Sequence, residues 1–426
     1  MGPHFFHFKD ASTDPRLAAL LGQYTLIRYS KSYIHPRSSI GESVSLRPLH
    51  ICFICSEYPP APHGGIGSFT QVLGRSLVNR GHRVTALGMY LDQFVGSGRD
   101  NDQGVDIIRI SRRGLPLIRP LVNRRRQARA IEELHTRHPI DIIEGGELDI
   151  ATLPQKTPGL KLIRMHGGPT FFSADNHIMT AKERWAFHIA DELCAVSQTI
   201  ADGTRKLLNL GSRHIEVIHN PIDTRLFAPK PDDLAEQEGL IVFAGSITER
   251  KGIRQLIQAM PKIVAAVPEA HLEVYGGEAF DPPPPVPLAE VLKGLLPPEV
   301  APHVIWKGRV PRSELPRAIQ RASVCVYPSF IEAMPIAWIE GMASGKAVVA
   351  SKTGPGPELI DDGLNGLLCD PSSPDSIADA LIRVLKDREF RQRLGANARK
   401  TAQERWELES IISKNEAYYR RLTHTT

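Results

Sequence analysis

Residues Leu49–Leu87 read LHICFICSEYPPAPHGGIGSFTQVLGRSLVNRGHRVTAL. The apolar run Ile51–Cys55 has the continuity of a buried strand and empties into a Pro/Gly-rich loop. Phe69, Val72, Leu73 and Leu77 then recur at the spacing of a helix face, Gly81 stops the helix, and Arg83–Leu87 returns as a strand. The same order reappears about 190 residues later, beginning with strand Leu240–Ala244 and the loop GSITERKG. A helix follows with Ile253, Leu256, Ile257, Met260, Ile263, Val264 and Val267 on one stripe, and then strand His271–Tyr275. Two such units predict an α/β protein of two doubly wound, Rossmann-like domains.

Other apolar runs suit further parallel strands at Ile140–Ile143, Lys161–Met165, Glu192–Val196, Ile215–Ile218, Val304–Trp306, Val324–Tyr327 and Ala347–Ala350. The Pro- and charge-rich stretch Pro221–Glu238 is the expected boundary. It divides the chain into an extension (1–48) of unassigned role, a first domain (49–222) and a second domain (223–407). The extension holds only a short helical candidate, Leu17–Leu21. Phe280–Pro287 (FDPPPPVP) can be neither helix nor central strand and reads as a surface loop. From Asp375 onward the chain is expected to be largely helical.

Composition narrows the class. The 426 residues exceed what one core usually supports, and the hydrophobic (42%) and charged (23%) shares are those of a globular protein. A net charge of +5 admits small anions or a membrane surface as partners, but it is too low to argue for nucleic acid. No apolar run reaches the ~18–20 residues of a membrane span, and the N-terminus lacks the features of a secretory signal. Five scattered cysteines suit a reducing compartment, so a cytoplasmic location is expected. Cys52 and Cys55 form a C-x-x-C, but three residues apart on a strand they face opposite sides. Core packing rather than redox chemistry is expected of them.

Three loops carry chemistry. His63-Gly64-Gly65-Ile66-Gly67 lies between strand and helix, where glycine lets backbone N–H groups approach an anion. A tight turn without ligand is the other reading. The dinucleotide pattern G-x-G-x-x-G would need glycine at Thr70, which argues against a nicotinamide enzyme. In the second loop Arg250 and Lys251 precede a helix start, and fixed charge beside a helix N-terminus suits a diphosphate. A solvated basic loop is the alternative there.

The third loop lies in YPSFIEAMPIAWIEGMASGKAVVA, Tyr327–Ala350. Glu332 falls in the turn after a strand, Pro335 suits the first helical position, and Glu340 lies inside the helix. Eight residues at about 1.5 Å each separate the carboxylates by roughly 10 Å, suiting the two ends of an extended ligand. Glu340 could be an ordinary surface residue. Its neighbours Ile336, Ile339 and Ala343 are core-like, however, so a carboxylate there needs a partner.

The block Glu332–Glu340, followed by GMASGKAVVAS and ELIDDGLNGLLCDP, resembles the retaining glycosyltransferases of family 4, of the GT-B fold. EYPPAPHGGIGSFTQVLGRSLVNRGHRV, AVSQTIAD with IEVIHNPIDTRLFAP, and FAGSITERKG share the resemblance, in order from about Leu49 to Arg405. It implies two facing domains with a nucleotide-diphosphate sugar in the cleft. Glu340 would hold the ribose, and Glu332 would lie beside the donor sugar. Backbone amides from Ala333 through Met334, Pro335 and Ile336 would support sugar and phosphates. Lys251 and Arg250 would neutralise the diphosphate, helped by Gly64 and Gly65 from the first domain. His166 matches the family histidine near the reacting sugar, and Arg309 and Val310 match the segment bracketing the base. The last helix (about 408–426) would pack back on the first domain. The family arginine after the glycine of the second loop is Ser246 here, and Arg250 is the candidate substitute.

Departure of a diphosphate leaves negative charge, which Lys251, Arg250 and the helix end near Met334 would stabilise, so no metal or other cofactor is expected. Retention would follow from front-face attack, the departing phosphate oxygen taking the acceptor proton. For a double displacement Glu332 is the one candidate nucleophile. The competing readings are a sugar-nucleotide epimerase and a non-catalytic nucleotide-sugar-binding protein. The acceptor, whether glycan, lipid-linked or small molecule, is expected on the first domain. That domain carries Arg112, Arg113, Arg119, Arg124, Arg125, Arg126 and Arg129 along a helical stretch with Leu121, Val122, Ala128, Ile131 and Leu134. Such a helix suits peripheral docking on anionic lipid; a solvated face beside a core stripe is the other reading.

Overall fold

A computed structural model describes residues 47–115, 117–172, 177–229, 236–278 and 286–424. The Leu17–Leu21 candidate and most of the proline-rich insertion lie outside them. Two sheets organise the rest. The first comprises β1 (His50–Ile54), β2 (Arg83–Tyr90), β3 (Arg99–Asp102), β4 (Val105–Ser111), β5 (Ile142–Gly145), β6 (Leu160–Met165), β7 (Glu192–Ala195) and β8 (Glu216–Val217). Their order is β3-β4-β2-β1-β5-β6-β7-β8, parallel except for the β3–β4 hairpin. The second comprises β9 (Leu240–Ala244), β10 (His271–Tyr275), β11 (Val304–Gly308), β12 (Val324–Tyr327), β13 (Ala347–Ser351) and β14 (Leu367–Cys369). Its order, β11-β10-β9-β12-β13-β14, is parallel throughout.

In each sheet the winding reverses beside the first strand, between β1 and β5 and between β9 and β12. Ligand crevices in such sheets open at the carboxyl ends of the strands flanking the reversal. The sequence motifs sit there because each loop follows one of these strands. Helix α1 (Gly65–Asn79) buries Phe69, Thr70, Leu73, Gly74 and Leu77, while Val72 is only half-buried. Cys52 and Cys55 are free and buried in different core clusters, and burial pushes both thiols up to about 12.

The remaining helices that matter are α2 (Arg119–Arg137), α3 (Glu147–Ile150), α4 (Pro169–Phe172), α5 (His177–Ile189), α6 (Gln198–Leu208), α7 (Ile253–Ala266), α8 (Leu288–Lys293), α9 (Leu315–Arg321), α10 (Ile336–Ala343), α11 (Gly356–Leu359), α12 (Pro374–Lys386), α13 (Arg388–Trp406) and α14 (Leu408–His424). Helix α14 returns to the first sheet, where Ile411, Ile412, Tyr418, Tyr419 and Leu422 share a core with Ile51, Phe53 and Leu73. Beneath it Arg164 and Glu144 form a fully buried ion pair at 2.6 Å. Asn415 and Tyr419 of α14 complete that pair, each through a 2.7 Å hydrogen bond. A buried charge pair is tolerable only when its remaining polar atoms are satisfied, so α14 is part of the first domain's interior.

Candidate active site between the two sheets

The second domain builds most of the site. Gly252 is the N-cap of α7 at φ 68°, and a Cβ there would lie 1.9 Å from the Pro328 carbonyl oxygen. Glycine alone allows the Glu249–Lys251 turn to lie against the end of β12. That approach brings Lys251 Nζ to 2.5 Å from Glu332 Oε1 and Arg250 Nη1 to 3.7 Å from Oε2. Arg250 also donates to the Ile331 carbonyl at 3.1 Å, and its guanidinium stacks over Phe172 of the first domain at 5.0 Å. Burial would raise the Glu332 carboxyl, but Lys251 and Arg250 outweigh it and hold the group below its ordinary value.

Pro335 is the N-cap of α10 rather than its first helical residue, because its extended ψ of 102° defers the helix to Ile336. Glu340 is buried and has the partner its surroundings demand: Arg312 donates to Oε1 at 3.1 Å. Burial raises Glu340 and Arg312 only partly offsets it. Arg309 donates to the Glu278 carbonyl at 2.9 Å, just beyond β11, with half-buried Val310 beside it.

The first domain supplies the opposite wall. His166 follows β6, half-buried, its ring edge-on to Phe69 at 5.2 Å. Burial and the adjacent Arg164 push its imidazole down to about 3, so the ring is neutral. Gly64 caps α1, and Gly65 is open, with no atom within 4 Å of where a Cβ would stand. Glu57 Oε1 accepts the Gly67 N–H at 2.7 Å, so this helix end already holds a carboxylate of the chain itself.

Direct bonds tie the two walls together. Ser197 Oγ donates to the Ala333 carbonyl at 2.7 Å, and Asn220 Nδ2 to that of Met334 at 3.5 Å. The Glu358 carboxylate accepts from Gln198 N at 2.8 Å, Thr199 N at 3.1 Å and Thr199 Oγ1 at 3.2 Å, and meets His219 Nε2 at 2.9 Å. Glu57, Ser197 and Glu358 lie within the blocks that carry the resemblance, but the resemblance assigned them no role, and Arg312 lies outside those blocks. Their contacts at the site cross ten or more residues of sequence, a separation that local spacing does not show.

Two facing parallel-sheet domains, with a cationic turn, a buried carboxylate after β12 and a second in the helix that follows, define a GT-B glycosyltransferase. A family model described as glycosyl transferases group 1 matches residues 225–401, and one described as Glycosyltransferase Family 4 matches 63–226. The chain belongs to glycosyltransferase family 4, a family of retaining enzymes. It is 27% identical to an uncharacterised glycosyltransferase of Methanocaldococcus jannaschii, over 87% of this chain and 98% of that protein. It is 25% identical to a GDP-mannose-dependent alpha-(1-6)-phosphatidylinositol monomannoside mannosyltransferase of Mycobacterium tuberculosis, over 85% and 96%. Among solved structures it is similar to sucrose-phosphate synthase of Thermosynechococcus elongatus, with a TM-score of 0.76 and 22% identity over 89% of this chain and 100% of that one. Anabaena HepE in complex with UDP-glucose gives a TM-score of 0.66 and 18% identity, over 87% and 100%.

Proposed function

We propose that this transferase binds the diphosphate of a sugar nucleotide at Lys251 and Arg250, the sugar beside Glu332 and His166, and the ribose at Glu340. The observation that carries this is the convergence of both cations on the Glu332 carboxylate at the cleft. Lys251 Nζ lies 2.5 Å from one carboxylate oxygen and Arg250 Nη1 3.7 Å from the other, so the two fixed cations face one point of the cleft. Glu332, so clamped, serves as hydrogen-bond acceptor for a sugar hydroxyl rather than as a nucleophile. The anomeric C–O bond to phosphate breaks, the acceptor oxygen bonds to the same face of the carbon, and the acceptor's proton passes to the departing phosphate oxygen. Lys251 and Arg250 balance the leaving charge, so the reaction runs without a divalent ion. Glu332→Gln should reduce transfer at least a hundredfold while nucleoside diphosphate affinity stays within a few-fold, about what removing one preorganised polar contact costs. Parallel loss of binding and turnover would give Glu332 a structural role instead.

The acceptor reaches the first domain from an anionic membrane surface. Leu115, Leu117, Ile118 and Leu121 are 51–97% exposed at the start of α2, beside exposed Arg113, Arg119 and Arg125. Apolar side chains flanked by guanidinium groups suit the headgroup boundary of an anionic bilayer. Among the described residues no helix is long and apolar enough to cross a membrane, and the attachment is peripheral.

A further inference from the structure

We propose that Ser197 of the first domain is a positioning residue for the donor: by holding the Ala333 carbonyl it aims the Met334 N–H at the diphosphate. The inference rests on the donor placement argued above and assigns a residue to it. Ser197 is fully buried and does two things at once. As N-cap of α6 its oxygen accepts the Ile200 N–H at 3.2 Å, and its hydroxyl proton goes to the Ala333 oxygen at 2.7 Å. In a trans peptide the carbonyl and the N–H point in opposite directions across the C–N bond. The peptide that carries the Ala333 oxygen carries the Met334 N–H. Anchoring the oxygen on Ser197 therefore turns that N–H away from Ser197, and in this proposal the diphosphate held by Lys251 and Arg250 lies on that side. The next peptide has no N–H to offer, because residue 335 is proline, and Asn220 holds its carbonyl at 3.5 Å.

Glu358 makes the arrangement dependent on closure. Its carboxylate takes the Gln198 and Thr199 amides at 2.8 and 3.1 Å, and Arg405 holds its backbone oxygen at 2.7 Å. The amino end of α6 is thus seated on the second domain, and Ser197 reaches Ala333 only while it is. Approach of the two domains and orientation of a donor-binding amide become one event.

The test is calorimetric binding of UDP, GDP and ADP and the corresponding monophosphates to the full chain. Ser197→Ala should weaken whichever diphosphate binds by about five- to tenfold, the size of one ordinary net hydrogen bond, and the monophosphate less than twofold. The diphosphate-to-monophosphate ratio falls accordingly. Loss of the helix cap alone would lower the melting temperature without moving this ratio. Ser197→Thr, which keeps the hydroxyl, should restore the ratio. If Ser197→Ala does not fold, Ser197→Cys keeps the volume with a poorer donor and should lower the ratio too. A ratio unchanged in the variant that folds overturns the proposal. Lys251→Ala separates the two readings: if it leaves the ratio intact, or if the wild-type chain binds none of the three diphosphates, the donor placement itself fails. A ratio lost in Lys251→Ala but kept in the Ser197 variants defeats the role of Ser197 alone.

Discussion

Two buried glutamates eight positions apart titrate in opposite directions because their neighbours differ. Glu332 faces two cations across 2.5 and 3.7 Å and is held low. Its clamped, ionised form therefore stabilises the fold above the ordinary carboxylate range, and that contribution is lost as pH falls through the depressed value. Glu340 faces one half-exposed arginine and is held high. If the ionised carboxylate takes the ribose hydroxyls, nucleoside diphosphate affinity should rise with pH through that raised value. Arg312→Ala removes the opposing charge, so the same rise should move to higher pH, read from dissociation constants at a series of pH values. A pH profile identical to wild type would separate Glu340 from nucleotide binding. The need for a partner at Glu340 was legible from Ile336, Ile339 and Ala343 around it. Arg312 was not, since it comes from the loop before α9 and only tertiary folding brings it there. Arg250 was read as a free phosphate ligand. Its contacts with Phe172 and the Ile331 carbonyl show that it also braces the turn from both domains.

Among elements, those with strong periodicity were legible and those without were not. Strands β9 and β12 fall on the expected residues because each is a short continuous apolar run between breakers, and β10 does so although Glu273 interrupts its apolar residues. The β3–β4 hairpin escaped notice: β3 reads Arg99-Asp100-Asn101-Asp102, carries no apolar residue, and lies at the sheet edge, where backbone pairing and the Asp102 carboxylate, bonded by Tyr58, Gln71 and Arg75, hold it. Its turn at Gln103-Gly104 takes positive φ at both residues, a hairpin signal weaker than Asn-Gly. The turn before α7 depends on one glycine. Gly252→Ala should cost about 1–3 kcal/mol for the left-handed backbone alone, and more for the collision with Pro328. Denaturant unfolding should show this loss, and diphosphate affinity should fall with it. Helix α2 divides its arginines: Arg124 holds the Leu153 carbonyl at 2.8 Å and Arg126 bonds the Ser111 carbonyl, whereas Arg125, like Arg113 in the loop before the helix, is exposed. Ile131 is buried, but Leu121 joins the exposed apolar group. Flotation with vesicles should accordingly require anionic lipid and weaken with salt, since charges at a surface are screened beyond ~8–10 Å. Leu117→Asp should reduce it at constant salt. Salt-insensitive flotation, or none, would return this face to solvent.

At the scale of the whole molecule, the Glu358 carboxylate adds a polar tie to an apolar core that runs through both domains and includes Ile200 and Ala201 of α6. The Glu358 carboxyl is pushed up by burial, but His219 and the two amides pull it net below its ordinary value of 4.5. Its contribution to closure is complete above that ordinary value and is lost as pH falls through the depressed one. Small-angle scattering should then show expansion in mild acid, and Glu358→Ala should show it at neutral pH. Equal radii for the variant and wild type at neutral pH would remove Glu358 from the closure. The return of α14 has a different consequence, one of timing during synthesis. The ribosome delivers every strand of the first sheet before residue 218, yet Asn415 and Tyr419, which complete the buried Arg164–Glu144 pair, emerge last. Until then the earliest-made half of the protein carries an unfinished charged interior, and the later-made half closes its own sheet first. A premature stop at the start of α14 (Leu408–His424) would therefore damage the amino-terminal half, leaving the carboxyl-terminal half folded beside it.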